Sequence, residues 1–122
     1  MRFCQMILNG GELDGARILG AKSVELMSMD HLHDATVPKS GVTLGEGCGF
    51  GLGYRVLLDP SRAHRLGSPG TLSWGGMAST MFFIDPREKL IGIVMTQKFP
   101  TDLRLREEFK AAVYQSLTKV ED

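Results

Sequence analysis

The chain of 122 residues has no surplus of charge of either sign: 14 basic residues are matched by 14 acidic ones. No overall field would therefore draw it to nucleic acid or to an anionic membrane. Long apolar runs are missing too, so no segment has the length to span a bilayer, and no basic stretch followed by an apolar core marks a secretory signal. A soluble, cytoplasmic chain with no nucleic-acid and no membrane partner is the expectation. Cysteine is scarce. Cys4 and Cys48 stand in unrelated contexts, with no Cys-x-x-Cys pair, which favours a reducing compartment. No frame completes Gly-x-Gly-x-x-Gly, and neither a Walker-type Gly-Lys-Ser nor a Gly-x-Ser-x-Gly elbow occurs, so no cofactor is expected.

What is present is glycine, fifteen residues of it and clustered, together with short apolar runs. The clearest piece runs from residue 71 to residue 97. Met81 to Ile84 and Leu90 to Met95 are rich in aromatic and β-branched residues, which suit a pleated, half-buried surface. Asp85-Pro86-Arg87-Glu88 between them supplies a turn, proline setting φ for its first central position. An antiparallel hairpin is predicted, preceded by a short strand ending in Trp74-Gly75-Gly76.

Upstream, Phe3, Cys4, Met6, Ile7 and Leu8 give a helical stripe that stops at Asn9-Gly10-Gly11. A helix starting at the first methionine has no capping residue, so its end is expected to fray or to be preceded by something missing. A turn with a small extended piece follows over residues 12–19, and then a second short helix carrying Val24, Leu26 and Met27, with Ser23 as its expected cap. Residues 31–47 read as a loop. Gly45, Gly47, Gly49, Gly51 and Gly53 alternate with Cys48, Phe50, Leu52 and Tyr54, predicting one strand with a bare face that continues into Leu58. Asp59 to Arg62 and Gly67 to Gly70 are turns. After Phe99-Pro100, Thr101 or Asp102 caps an amphipathic helix whose apolar stripe is Leu105, Phe109, Ala112, Val113, Leu117 and Val120. Arg104, Arg106, Glu107, Glu108 and Lys110 fall mostly on its other face.

Three stretches invite chemistry. Asp30-His31-Leu32-His33-Asp34 carries two imidazoles and two carboxylates, but the segment leaves a helix for a polar loop, and no metal site is expected. Cys48 between glycines has no basic neighbour and reads as a small buried hydrophobe. Trp74-Gly75-Gly76-Met77 closes a strand, which fits either an aromatic core residue followed by a β-bulge or one wall of a site.

Five ordered blocks carry a resemblance. They are Arg2-Phe3-Cys4-Gln5-Met6-Ile7-Leu8-Asn9-Gly10-Gly11, Phe50-Gly51-Leu52-Gly53-Tyr54, Gly67-Ser68-Pro69-Gly70, Ser73-Trp74-Gly75-Gly76-Met77-Ala78-Ser79-Thr80, and Asp85-Pro86 through Val94-Met95-Thr96-Gln97. Together they resemble the C-terminal portion of the serine β-lactamase-related family, which includes class C β-lactamases, DD-peptidases and β-lactamase-like esterases. The resemblance implies an α+β fold: the last three strands of an antiparallel β-sheet, a C-terminal helix packed on it, and short N-terminal helices. Residues 1–122 would be a single partial domain of a serine hydrolase that works through an acyl-enzyme. The family's Ser-x-x-Lys nucleophile and Tyr-x-Asn are both expected to be absent, so the chain by itself would hold no catalytic residue.

Trp74-Gly75-Gly76 takes the place of the family's Lys-Thr-Gly, as in esterase-type members. Ser73, Trp74, Gly75 and Gly76 would then wall the substrate site, and Met77 would lend its main-chain N–H to an oxyanion hole, where losing one donor costs about 3 kcal/mol. Loss of the lysine cation implies neutral small-molecule esters or amides as substrates. The family sheet also pairs the stretch from Leu90 to Gln97 with an N-terminal strand, so this edge is expected to promote association, as a homo-oligomer or otherwise. The rival reading is a non-catalytic module that docks onto an N-terminal partner chain or holds a ligand over Trp74.

Overall fold

The computed structural model describes residues 1–32 and 44–119. The first helix, α1 (Arg2–Leu8), forms where the stripe predicts it and starts without a side-chain cap. Gly10 and Gly11, both at positive φ, end it and lead into a small hairpin of β1 (Glu12–Leu13) and β2 (Ala16–Arg17). The second helix, α2 (Ala21–Met27), starts one turn earlier than Ser23 allows: Gly20, extended at φ −63° and ψ 143°, takes the cap position and Ser23 lies inside the first turn. No helix of the described residues is long and apolar enough to cross a membrane.

The glycine-rich segment corrects the single-strand expectation. It is two strands, β3 (Cys48–Phe50) and β4 (Arg55–Leu57), folded back on each other with Cys48 opposite Leu57 and Phe50 opposite Arg55. Residues 51–54 make the reversal, with Gly53 at φ +115°. The bare face is nonetheless real. A β-carbon on Gly49 would run into Asp30, and one on Gly51 into the Met27 carbonyl, so the end of α2 sits directly on these glycines. Cys48 is half-buried. After the short helix α3 (Pro60–Ala63), capped by the Asp59 carboxylate, come β5 (Leu72–Gly75), β6 (Met81–Asp85) and β7 (Leu90–Val94). The α+β class therefore holds, with the glycine hairpin extending the three expected strands to a five-stranded antiparallel sheet of order β3-β4-β5-β6-β7. β5 and β6 keep one unbroken register from Leu72 opposite Ile84 to Gly75 opposite Met81, without a bulge.

The sheet is covered on both faces. On one, Cys4, Met6 and Ile7 of α1 and Val24 of α2 meet Tyr54, Val56, Leu72 and Ile84 to form the main core. On the other lies α4 (Leu103–Gln115), capped by Asp102, whose carboxylate accepts from Leu105 N at 3.1 Å. Tyr114 stacks on Phe83 there, and Phe109 meets the same ring tilted at 60°. The face of α4 turned to the sheet differs from the predicted stripe: Ala112 is exposed and Lys110 is only 5% exposed. Lys110 Nζ lies over the rings of Phe83 (5.5 Å) and Tyr114 (5.7 Å), so the rings replace part of its hydration. Val120 is outside the described residues.

Candidate functional site

β5 brings Ser73, Trp74 and Gly75 to the edge of a turn formed by residues 76–80, and strand alternation sends their side chains to opposite faces. Trp74 turns toward the α1 face. It is half-buried, meets Phe50 edge-on at 5.0 Å and packs on the main core. Ser73 points to the α4 face, buried, and its Oγ accepts from Arg55 at 3.4 Å. Two of the four predicted wall residues, Ser73 and Trp74, are thus on different sides of the sheet.

Beside Trp74 lies a groove of about 330 Å³, framed by Met1, Phe3 and Cys4 on one side and by Trp74, Gly75 and Gly76 with Phe82, Ile93 and Met95 on the other. Among the described residues no charged side chain lines it. Burial raises the Cys4 thiol above its ordinary value, so at neutral pH this side chain is an uncharged part of the wall.

The turn after Gly75 is fastened from the α4 side, carbonyl by carbonyl. Arg106 donates to Gly76 O, Thr101 Oγ1 to Met77 O at 2.9 Å, and Thr96 Oγ1 to Ala78 O at 2.5 Å. Ser79, wholly buried at φ 65°, donates its Oγ to Lys98 O at 2.7 Å and accepts from Asp102 N at 2.8 Å, which ties the start of α4 to the same turn. Within the turn, Gly76 N donates to Thr80 O and Ser79 N to Gly76 O. Among the described residues the N–H groups of Met77 and Ala78 make no hydrogen bond. Met77 itself is 71% exposed, outside the groove lining. A main chain held this firmly with its N–H groups left open can accept an anionic oxygen without rearranging.

Letter by letter, Ser116-Leu117-Thr118-Lys119 does fit Ser-x-x-Lys, against the expectation that the motif is absent. It sits at the far end of α4: Arg106 near the helix start reaches Gly76, whereas Ser116 follows the last turn, roughly 15 Å further along the axis. Ser116 Oγ is bonded to Val113 O at 2.7 Å and exposed, so this serine is not brought to the site. In the other candidate cluster, Asp30 Oδ1 accepts from Leu32 N and Phe50 N, fixing β3 to the end of α2, and His31 Nε2 is paired with Leu26 O at 2.7 Å. His33 and Asp34 are outside the described residues, and among those described no group of three metal-ligating side chains is gathered. Sequence reasoning missed Thr96, Thr101 and Arg106. Their only signal was polarity at the mouth of the last helix.

The family model described as Beta-lactamase matches residues 1–115. Protein Rv1367c and Uncharacterized protein MT1414, both from Mycobacterium tuberculosis, are each 37% identical to the chain over 125 aligned residues, which take in 98% of this chain and 31% of theirs. The chain therefore spans about a third of the length of these curated relatives. Among solved structures, EstCE1, described as a hydrolase with promiscuous acyltransferase activity, superposes with a TM-score of 0.69 at 30% identity, covering 88% of this chain and 26% of that one. Simvastatin synthase (LovD) from Aspergillus terreus shares the fold, with a TM-score of 0.68 at 21% identity over 96% of this chain and 33% of its own.

Proposed function

The chain belongs to the beta-lactamase family, and from that premise we propose that it forms one wall of an acyl-transfer site in a β-lactamase-like serine hydrolase of esterase type. The observation that carries this is the pairing of an open Met77 N–H, on a turn braced at three successive carbonyls, with a groove bearing no charged side chain. Met77 N–H supplies one of two donors to the developing oxyanion, the other coming with the nucleophile. Trp74, where the family pattern has a lysine, lines the groove with apolar surface and removes the cation that would hold a substrate carboxylate. Neutral esters or amides are the substrates that fit such a wall. EstCE1, by its description a hydrolase with promiscuous acyltransferase activity, supports the acyl-transfer side of the reading.

The nucleophile reaches this site from outside the described residues, because Ser116 is at the wrong end of α4. By itself the chain should not turn over nitrocefin or p-nitrophenyl esters. Turnover that survives purification and is abolished by a serine-directed inhibitor would refute this. In a chimaera where residues 1–115 replace the matching segment of EstCE1, the hydrolase and acyltransferase activity of that protein should persist. Met77→Pro, which deletes the N–H, should lower kcat by about 100-fold. An undiminished kcat in that variant would remove Met77 from the oxyanion hole.

A further inference from the structure

The Gly76 carbonyl and the Met77 N–H are the two ends of one peptide group, joined by a bond with partial double-bond character. Arg106 donates to that carbonyl from the α4 side, and its guanidinium lies against Gly75: a β-carbon there would sit 2.7 Å from Arg106 Cζ and 2.8 Å from its Nη2. Arg106 is half-buried, and its Nε is buried with no partner among the described residues, a cost that an arginine free to turn outward would avoid. Among the described residues the other donor to the Gly76 oxygen is Ser79 N at 3.1 Å.

A cationic donor on a carbonyl oxygen draws electron density from the amide nitrogen, so the N–H at the other end carries more positive charge and gives a stronger hydrogen bond. The same contact fixes the plane of the peptide. We infer that Arg106 is a positioning residue for the oxyanion site, which orients and polarises the Gly76–Met77 peptide so that the Met77 N–H is primed to donate. This rests on the assignment of Met77 to the oxyanion hole made above. Gly75 leaves room for both the guanidinium and the Thr80 carbonyl, since a β-carbon there would sit 2.7 Å from each.

The isotope-labelled full chain tests this without turnover. In Arg106→Leu the Gly76 carbonyl carbon resonance should move upfield. Base-catalysed exchange of the Met77 amide with water should slow by about fivefold, while the hydrogen-bonded amides of Gly76 and Ser79 keep their rates. Arg106→Lys, which keeps a cation, should restore most of the effect. Arg106→Gln, a neutral donor, should not. Arg106→Met, which keeps the aliphatic bulk but has no donor and no charge, should behave like Arg106→Leu and serves if that variant fails to fold.

A purely structural arginine predicts the opposite pattern, with Met77, Gly76 and Ser79 all exchanging faster as the turn loosens. That result, or an unchanged Met77 amide, would overturn the inference. Failure of the oxyanion assignment is read separately, from Met77→Pro in the EstCE1 chimaera. Polarisation could be found while that assignment fails, and the reverse could equally be found.

Discussion

Asp85 takes hydrogen bonds on Oδ2 from Ser68 N (3.0 Å), Thr71 Oγ1 (3.1 Å) and Tyr114 Oη (2.6 Å), and on Oδ1 from Arg87 N and Glu88 N (both 3.2 Å). The Oδ1 bonds are the turn function read from Asp-Pro in the sequence. The Oδ2 bonds were not legible, because they come from residues 14 to 29 positions away. Burial pushes the carboxyl up, but donation from Tyr114, Ser68 and Glu88 outweighs it and holds the group below its ordinary value of 3.8. Burial and the Asp85 charge in turn raise the Tyr114 hydroxyl far above its ordinary range, so it remains a donor. With the folded value lowered, the unfolded chain binds more protons in acid. The stabilisation is present above pH 3.8 and is lost as pH falls through the lowered value. Asp85→Asn turns an amide NH₂ toward donors and should cost about 3 kcal/mol at pH 7 in urea unfolding. The difference from the parent should shrink below pH 4. An equal cost at pH 7 and pH 3 would contradict the charged hub.

At the scale of elements, α4 shows how far periodicity reaches. Its existence, a cap at Thr101 or Asp102 and the turning of Phe109 toward the sheet were legible, because an apolar stripe beside a capping residue is a local signal. Its exact face was not. Phe83 and Tyr114 create a site for a cation that no hydropathy pattern encodes, and Lys110 fills it. Burial, and to a lesser degree the charges of Arg55 and Arg65, lower Lys110 to about 8, while Glu107 partly opposes the shift. Because the folded value lies below the unfolded 10.5, the unfolded chain holds more protons between the two. The parent therefore gains stability as pH rises through that window. Lys110→Met should raise the urea midpoint at pH 7 by an amount corresponding to about 1–3 kcal/mol, and the advantage should narrow by pH 10. A destabilised Met variant would mean that the ring contacts outweigh the desolvation. The hairpin β3–β4 teaches the same lesson from the other side: alternation placed the bare face correctly, but the reversal at residues 51–54 depends on α2 packing on Gly49 and Gly51.

For the whole molecule, the decisive feature is where the sheet stops. Among the described residues β7 has a strand neighbour on one side only, and from Leu90 to Val94 it carries no charge and no proline to discourage pairing. Met95, 81% exposed, continues that edge beside the groove. We propose that the chain self-associates through β7. Sedimentation should show dimers or larger species whose population rises with concentration. Glu at Ile93 (Ile93→Glu) should shift it toward monomer, and a stable parent monomer at high concentration would count against the edge. By itself the sequence determined the class and most of the elements, the glycine hairpin β3–β4 excepted, since turn chemistry, glycine placement and apolar period are properties of neighbouring residues. It also marked Trp74-Gly75-Gly76-Met77 as the end of a strand. Only the tertiary structure decided that Trp74 meets the α1 face and Ser73 the α4 face, that Lys110 goes inside, that Ser116 is stranded far from the Gly76 turn, and that Arg106 grips the Gly76 carbonyl. Those are contacts between residues tens of positions apart. Their energies depend on which surfaces the sheet brings together, and no local pattern carries that information.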